Sequence, residues 1–577
     1  MRPSRVFSVH LCKMFRLILL LLYVSAGHGI AAGSKSASGK KAVVSTVHPL
    51  ASAAALQAIR DGGNAVDAAV AAALTLGVVD GHNSGIGGGC FLLIRLPDGK
   101  VAAIDGREQA PAAATRDMFI RDGKADTRLS QTGALAIGVP GSVAAYDLAC
   151  RKYGKLSLAH HLNVAAGLAE NGFAVTKTLA ERMSASAEEL KQFPASRAAL
   201  LKADGSTYAA GELFRQPDLA KSYRAMAQEG IGWFYGGEFA GATEAWMKAN
   251  GGLLTAKDFK SYELKLREPI RTTYRGYEMV GFPPPSSGGV HVAQILNILE
   301  PFNLRKMKAG SADFIHVVTE AMKLAFADRA YWLGDPDFAP VPRGLIAKNY
   351  SAQLAKQIDM KRARAVPSHG KPERSEADLF GKHTTHFSTA DAQGNWVACT
   401  ATINTTFGSK VVIPGTGIVM NNQMDDFSIE PGTANYFGLV GAEANAIAPG
   451  KRPLSSMSPT LVMKDGKPVL SVGAAGGPTI ITQTLLALVN WIDFQMPLEK
   501  ALAQPRFHHQ WMPDELRIED NIPEKIRAEL LRRGHRLKLV GPFGATQATE
   551  QRKRGGELIG QTDPRGQGVS LGLSVQR

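Results

Sequence analysis

Residues 65–79 read AVDAAVAAALTLGVV, a segment with almost no polar side chain on any side. A helix of that composition has to be buried nearly all round, so the rest of the chain must cover it from several directions. Asn64 stands where the N-cap is wanted, and Asp80-Gly81 stands where the helix must stop. Just before it, Leu50, Ala53, Leu56 and Ile59 recur at helical spacing up to Gly62-Gly63, which suits a C-cap. Just after it, Gly85-Ile86-Gly87-Gly88-Gly89 runs into Cys90-Phe91-Leu92-Leu93-Ile94, the pattern of a strand entered through a close backbone approach. No Lys-Ser or Lys-Thr follows at the spacing a phosphate loop needs, so tight packing is the expected role of these glycines.

Further on, helical patterns over 158–171, 218–229 and 315–333 alternate with short strands, and no long linker separates them. Pro283-Pro284-Pro285-Ser286-Ser287-Gly288-Gly289 reads as a structured turn. There is no internal repeat. With 577 residues, 45% of them hydrophobic, the chain suits either about four average domains or one large interleaved α/β body. The stretch 365–382 is polar, contains Pro367 and Pro372, and reads as flexible, after which the pattern changes to strands. It is the best candidate boundary in the chain.

The first 32 residues have the layout of an export signal. Arg2, Arg5, Lys13 and Arg16 precede an apolar run over 17–24, and Ala31-Ala32 follow. The run is too short to span a bilayer, and a retained signal anchor is the alternative. Losing this leader lowers the formal charge from +15 to +11. The remaining Lys and Arg are scattered with no aromatic interleaving, which argues against a nucleic-acid partner and for a solvated basic surface. Cys12 leaves with the leader; Cys90, Cys150 and Cys399 form no C-x-x-C pair, so neither a disulfide framework nor a thiolate metal site is indicated.

The chemistry concentrates after residue 383. Thr384-Thr385-His386-Phe387-Ser388 can pair with 396–404 across Asp391-Ala392-Gln393-Gly394-Asn395. A three-residue loop with Gly394 left-handed makes paired positions sum to 786 and sets Thr384 opposite Thr402. A two-residue loop would set Thr385 there instead. By the period-two rule Asn404 joins Thr402 on that face. Strand threonines by themselves mostly reflect β-propensity.

These residues resemble the signature of the γ-glutamyltranspeptidases, also called glutathione hydrolases. The resemblance rests on Thr384 to Ser388, Gly394 to Asn404 and Phe407-Gly408, and it continues in Gly63 to Ala69, Ser84 to Gly89, Arg107-Glu108, Asn421 to Phe427, Pro453 to Pro459 and Pro505 to His509. The blocks run in family order over nearly the whole chain. The resemblance implies an N-terminal nucleophile hydrolase: an α+β protein with a four-layer αββα sandwich, whose precursor cuts itself between His383 and Thr384. The expected parts are a signal peptide at 1–32, a large subunit at 33–383 and a small catalytic subunit at 384–577, interleaved in one structural domain as a heterodimer.

In such an enzyme the exposed threonine is the nucleophile and its α-amine, with an ordinary pKa near 8, is the base. Residue chemistry alone leaves Thr384 and Thr385 open; the family motif, Thr-x-His, selects Thr384. The resemblance further implies that Thr402 assists the nucleophile and that Gly476 and Gly477, at a glycine-rich strand-to-helix turn, form the oxyanion hole. It assigns the γ-glutamyl α-carboxylate to Arg107, Ser455 and Ser456, and the α-ammonium to Asn404, Gln423 and Asp426. Otherwise Arg107 would be read as a surface ion pair, and Asp425 and Asp426 as turn formers. His508 and His509 are adjacent, face opposite sides of a strand and read as structural.

One position departs from the pattern: where many bacterial members have a tyrosine in a loop over the pocket, this chain has Phe437, which lacks the hydroxyl. The expected substrates are glutathione and other γ-glutamyl compounds, with water, an amino acid or a peptide as acceptor. No metal or organic cofactor is implied, and the expected location is periplasmic or secreted. The competing readings are a cephalosporin or glutaryl-amide acylase on the same scaffold and an exported binding protein that neither matures nor turns over.

Overall fold

The computed structural model describes residues 34–373, 385–430, 432–551 and 556–574. The leader at 1–32, position 384 and residues 374–382 of the polar stretch lie outside these. Among the described residues, fourteen strands build the two large sheets: β1 Ser36–Gly39, β2 Ala42–Thr46, β3 Gly89–Arg95, β4 Val101–Gly106, β5 Lys265–Arg267, β6 Ile270–Tyr274, β7 Tyr277–Gly281, β8 Thr385–Asp391, β9 Trp396–Thr402, β10 Thr460–Lys464, β11 Lys467–Ala475, β12 Ala545–Glu550, β13 Leu558–Thr562 and β14 Val569–Leu573. They form two seven-stranded antiparallel sheets, ordered β1-β13-β12-β11-β10-β7-β6 and β14-β2-β8-β9-β3-β4-β5.

Side-chain alternation assigns the layers. On β3, Phe91 and Leu93 join Leu461 and Met463 of β10 in a core between the sheets. Cys90, Leu92 and Ile94 point the other way, into a core shared with α1 (Pro49–Arg60), α2 (Ala65–Val79), α3 (Ser142–Tyr153), α4 (Leu158–Asn171) and α5 (Pro217–Glu229). Val462 of β10 with Leu470 and Val472 of β11 face a third core, built with α6 (Ser287–Leu299), α7 (Ala312–Trp332) and α8 (Thr479–Ile492). Three cores between four layers make an αββα sandwich, and both halves of the chain contribute strands to both sheets. Lys35–Arg577 is one compact unit.

All fifteen residues of α2 are buried, as its composition demands. Asn64 and Asp67 close a capping box at its start, and Asp67 also accepts the amides of Lys155 and Leu156. The glycines after α2 are close approaches: a Cβ on Gly87 or Gly88 would run into the carbonyl of Val419 or Thr402, and one on Gly89 would lie 2.5 Å from Glu108 Oε2. Cys90, Cys150 and Cys399 are buried free thiols. No helix among the described residues is long and apolar enough to cross a membrane.

Two segments differ from the sequence reading. Ser287-Gly288-Gly289 open helix α6 rather than ending a turn; Ser286 caps it, and all thirteen of its residues are buried. The beginning of the polar stretch is anchored rather than free. Val366 O accepts Trp511 Nε1, Gly370 N donates to Asp328, and Gly370 O accepts Trp332 Nε1. Side-chain partners from distant segments tie down a backbone whose own composition carries no secondary-structure signal.

Candidate active site

The hairpin of β8 and β9 has the register of the three-residue loop. Thr385 pairs with Ala401 and Ala390 with Trp396, so partners sum to 786, and Gly394 sits at φ +94°. Thr385 itself is on the helix-facing side of β8, with Phe387 in the helical core and Thr389 bonded to Ala65 O at 2.7 Å. Its hydroxyl neighbours the Asp80 carboxyl, which burial pushes up to about 7. Thr385 therefore does not share a face with Thr402.

The opposite face of β8 looks into the space between the sheets. His386 bonds Thr400 Oγ1 through Nδ1 and Ser388 Oγ through Nε2, both at 3.0 Å, and Ser388 Oγ meets Ser471 Oγ of the other sheet at 3.0 Å. The ring lies where a Cβ on Gly473 would be 2.5 Å from it, so glycine in β11 leaves room for it. Sequence analysis assigned His386 no role; it pins β8, β9 and β11 together just inside the start of β8. Burial depresses its pKa to about 3 from an ordinary 6.5. A depressed histidine contributes stability that is present above pH 6.5 and is lost as pH falls toward the folded value, at about 1.4 kcal/mol per unit. In an uncut chain, His386→Gln is expected to remove roughly 2 kcal/mol of the stability difference between pH 7 and pH 5. Denaturant unfolding at the two pH values measures it, and an unchanged difference refutes the assignment.

β9 stops at Thr402, so Asn404 does not reach the site by strand alternation. It turns at φ +77°, its N–H donates to Thr402 Oγ1 at 2.7 Å, and its Nδ2 donates to Asn422 O at 3.0 Å. Asn421 and Asn422 hold the next segment through the backbones of Gly87, Gly138 and Gln131. That segment ends in the single turn Gln423–Asp426. Arg107, which follows β4, is fully buried rather than at the surface. Its Nη2 meets Asp426 Oδ2 at 2.7 Å, its Nη1 meets Glu108 Oε2 at 3.3 Å, and its Nε donates to Pro453 O at 3.2 Å. Gln423 Nε2 donates to the same Asp426 oxygen at 2.6 Å. Asp425 points elsewhere, to Ser130 Oγ and Tyr436 N, and burial raises it to about 6.

Ser455 and Ser456 precede β10. Ser455 N bonds Pro285 O, and Ser455 O accepts both the amide and the hydroxyl of Ser287. On these segments Ser456 Oγ, Asn404 Oδ1, Gln423 Oε1 and Glu108 Oε1 are buried without a hydrogen-bond partner, and so is Nη2 of Arg329, whose Nε bonds Ser287 Oγ. Each such atom costs about 1–3 kcal/mol, so a polar ligand that paired with them would relieve that cost. Glu108, raised to about 7 because desolvation outweighs Arg107, and Arg329 were not singled out from sequence.

Gly476 and Gly477 join β11 to α8 at φ +126° and +59°. Phe437 closes over this turn: a Cβ on Gly477 would be 2.7 Å from its ring. Tyr436 is 57% exposed and packs edge-on against Phe437, so its hydroxyl does not replace the missing one. Gln510 Nε2 holds the loop through the carbonyls of Phe437 and Gly438.

His508 and His509 are structural, bonded to Thr482 and Gln510 and to Asp514 and Trp511 respectively. Two groups of ligand-type side chains come together among the described residues, and hydrogen bonds account for both. Asp67, beside Cys150 and His161, is used in capping. His316 Nδ1 bonds His535 Nε2 at 2.7 Å, and Glu320 pairs with Lys323.

Comparison with known proteins identifies the family. The sequence profile described as gamma-glutamyltranspeptidase matches residues 51–573. The glutathione hydrolase proenzyme of Escherichia coli K12 is 44% identical over 528 residues, 91% of this chain and 90% of that one. The acylase ACY 1 proenzyme of Pseudomonas sp. SE83 is 42% identical over 87% of this chain and 88% of its own. Among solved structures, the cephalosporin acylase of Bacillus halodurans superposes with a TM-score of 0.84 at 30% identity, covering 96% of this chain and 99% of that one. The Helicobacter pylori gamma-glutamyltranspeptidase gives 0.53 at 41% identity, over 54% of this chain and 90% of that chain. With its four-layer sandwich, its hairpin register and a family match over nearly its whole length, the chain belongs to the γ-glutamyltranspeptidase family of N-terminal nucleophile hydrolases.

Proposed function

We propose that this chain is the precursor of a γ-glutamyltransferase with glutathione hydrolase activity, cut between His383 and Thr384 into a large and a small subunit that remain together. The observation that carries the reading is the buried Arg107–Asp426 pair, bonded to Gln423 and to Pro453 O of the segment that leads to Ser455 and Ser456. An arginine and two serines suit an α-carboxylate, and a carboxylate with two amides suits an α-ammonium, so the group complements a free amino-acid end. Position 384 lies outside the described residues. Thr385, paired with Ala401, faces away from Thr402, which supports Thr384 over Thr385 as the nucleophile.

In the proposed reaction Thr384 Oγ attacks the γ-carbonyl carbon while the α-amine of Thr384 takes the hydroxyl proton. The C=O π pair moves onto oxygen, where the Gly476 and Gly477 amides stabilise it. Collapse breaks the C–N bond, and the departing amine carries off the proton; from glutathione this amine is cysteinylglycine. Water then cleaves the γ-glutamyl ester to glutamate, or an amino acid or peptide accepts the acyl group.

The acylase relatives are nearly as similar as the glutathione hydrolases, and Asp426 separates the two readings here: a carboxylate at that place serves an ammonium that a glutaryl group lacks. Initial rates with γ-glutamyl and glutaryl anilides test this. Faster release from the γ-glutamyl donor supports the reading, faster release from the glutaryl donor transfers the enzyme to the acylases, and no release from either favours a binding protein. Gly477→Ala adds a Cβ against Phe437 at a left-handed position, a backbone cost of about 1–2 kcal/mol. It is expected to lower kcat about 100-fold by displacing an oxyanion donor, and an unchanged kcat removes Gly477 from that role. The export pattern at 1–32 supports a periplasmic or secreted location, which fractionation of cells checks.

A further inference from the structure

Arg107 is already engaged at every nitrogen, with one further N–H left on each Nη. Its Nε, Nη1 and Nη2 each have a protein partner in Pro453 O, Glu108 and Asp426. An acyl carboxylate arriving beside it finds a guanidinium whose charge is shared with two carboxyl groups. A second guanidinium stands nearby with no such commitment. Arg329 comes from helix α7 in the outer layer, is 2% exposed, and forms no ion pair among the described residues. Its Nε donates to Ser287 Oγ at 3.3 Å, and Ser287 in turn donates to Ser455 O from both hydroxyl and amide. Nη2 has no partner. Burial lowers its pKa to about 9, with Asp426 the charge that opposes the fall, so it stays cationic at neutral pH.

A buried, cationic guanidinium with an open nitrogen is costly unless an anion completes it. Asp426 Oδ2 is taken by Arg107 and Gln423, its Oδ1 is 3.5 Å from Asn435 Nδ2, and no carboxylate among the described residues is within ion-pair distance of Arg329. The unpartnered Ser456 hydroxyl belongs to the segment that Ser287 and Arg329 support. We infer that Arg329 is a second arginine of the acyl subsite, which works beside Arg107 and Ser456 to make that subsite demand a carboxylate on the acyl group. The inference rests on the function proposed above and names a specificity residue within it.

Three anilide donors separate the possibilities. The γ-glutamyl donor carries both carboxylate and ammonium, the glutaryl donor only the carboxylate, and the 4-aminobutyryl donor only the ammonium. Arg329→Gln can keep the hydrogen bond to Ser287 while losing the charge. It is expected to lower kcat/KM at least about 30-fold, mainly through KM, on the first two donors and to change the third less than about threefold. Ser287→Ala, which removes only the support, is expected to affect all three donors alike. Arg329→Lys keeps a point charge without the planar fork, so the preference for γ-glutamyl over 4-aminobutyryl should fall by a smaller factor, about 3–10-fold. The lysine variant carries the test alone if the glutamine variant does not fold.

Equal losses on all three donors, or an unchanged preference in the lysine variant, would overturn the inference and leave Arg329 as a support. If the unaltered enzyme releases nothing from the γ-glutamyl donor, the proposed function itself fails, and this inference with it. Those two failures are read from different proteins.

Discussion

A Thr384→Ala chain is expected to be purified as a single uncut polypeptide, whereas the unaltered protein yields two chains, one of which begins at Thr384. The same substitution is expected to lower γ-glutamyl anilide turnover by at least about 10³-fold, because it removes both the attacking oxygen and the group whose cleavage frees the basic amine. Intact mass and N-terminal sequencing read the first effect, and initial rates read the second. Thr385→Ala is the informative control. Thr385 faces the helical layer beside Asp80, so its loss should leave the cleavage point unchanged. Two chains in the Thr384→Ala protein, or a new N-terminus at Thr385, would refute the assignment of the nucleophile.

The second large effect is expected at Asp426. Asp426→Asn keeps the shape of the side chain but withdraws the anion that both Arg107 and Gln423 contact at 2.7 and 2.6 Å. Breaking one partner of a buried pair leaves the other charge uncompensated, at a cost of about 3–5 kcal/mol. Here Glu108, beside Arg107 and held near 7 by burial, is available to ionise and absorb part of that cost. The expected result is a fall of roughly 10²–10³-fold in kcat/KM for γ-glutamyl anilide. The glutaryl donor, which presents no ammonium, should lose far less, so the ratio of the two rates moves toward the acylase pattern. Equal loss on both donors would mean that Asp426 maintains the fold around Arg107 and does not read the substrate.

Local chemistry was legible wherever a single stretch of chain decides the outcome. The burial of α2 follows from its composition, its cap from Asn64 and Asp67, and the β8–β9 register from the loop length and Gly394. The close approaches at Gly87, Gly88 and Gly89 follow from the glycine run that enters β3. Reading failed where one segment meets another. Asn404 was placed by strand alternation, yet β9 ends two residues earlier and a left-handed turn carries Asn404 to Asn422. Gly288 and Gly289 looked like a turn because glycines disfavour helices. They open α6 because its first turn packs where side chains would strike Met457 and Phe282 carbonyls.

By itself, then, the sequence determined the family, the helix that must be enclosed, the hairpin that leads from the cleavage point, and the types of residue available to hold a γ-glutamyl group. Tertiary structure alone decided which of those residues share their charge. Arg107 leaves β4, Asp426 closes a turn 319 residues later, Ser455 precedes β10, and Arg329, on a helix of the far outer layer, bonds the Ser287 hydroxyl that donates to Ser455 O. Arginine and aspartate have no sequence period that announces a partner, since a buried ion pair is set by desolvation and by the few ångströms between two side chains. Those distances exist only once the two sheets have closed on each other and the helices have sealed both outer faces.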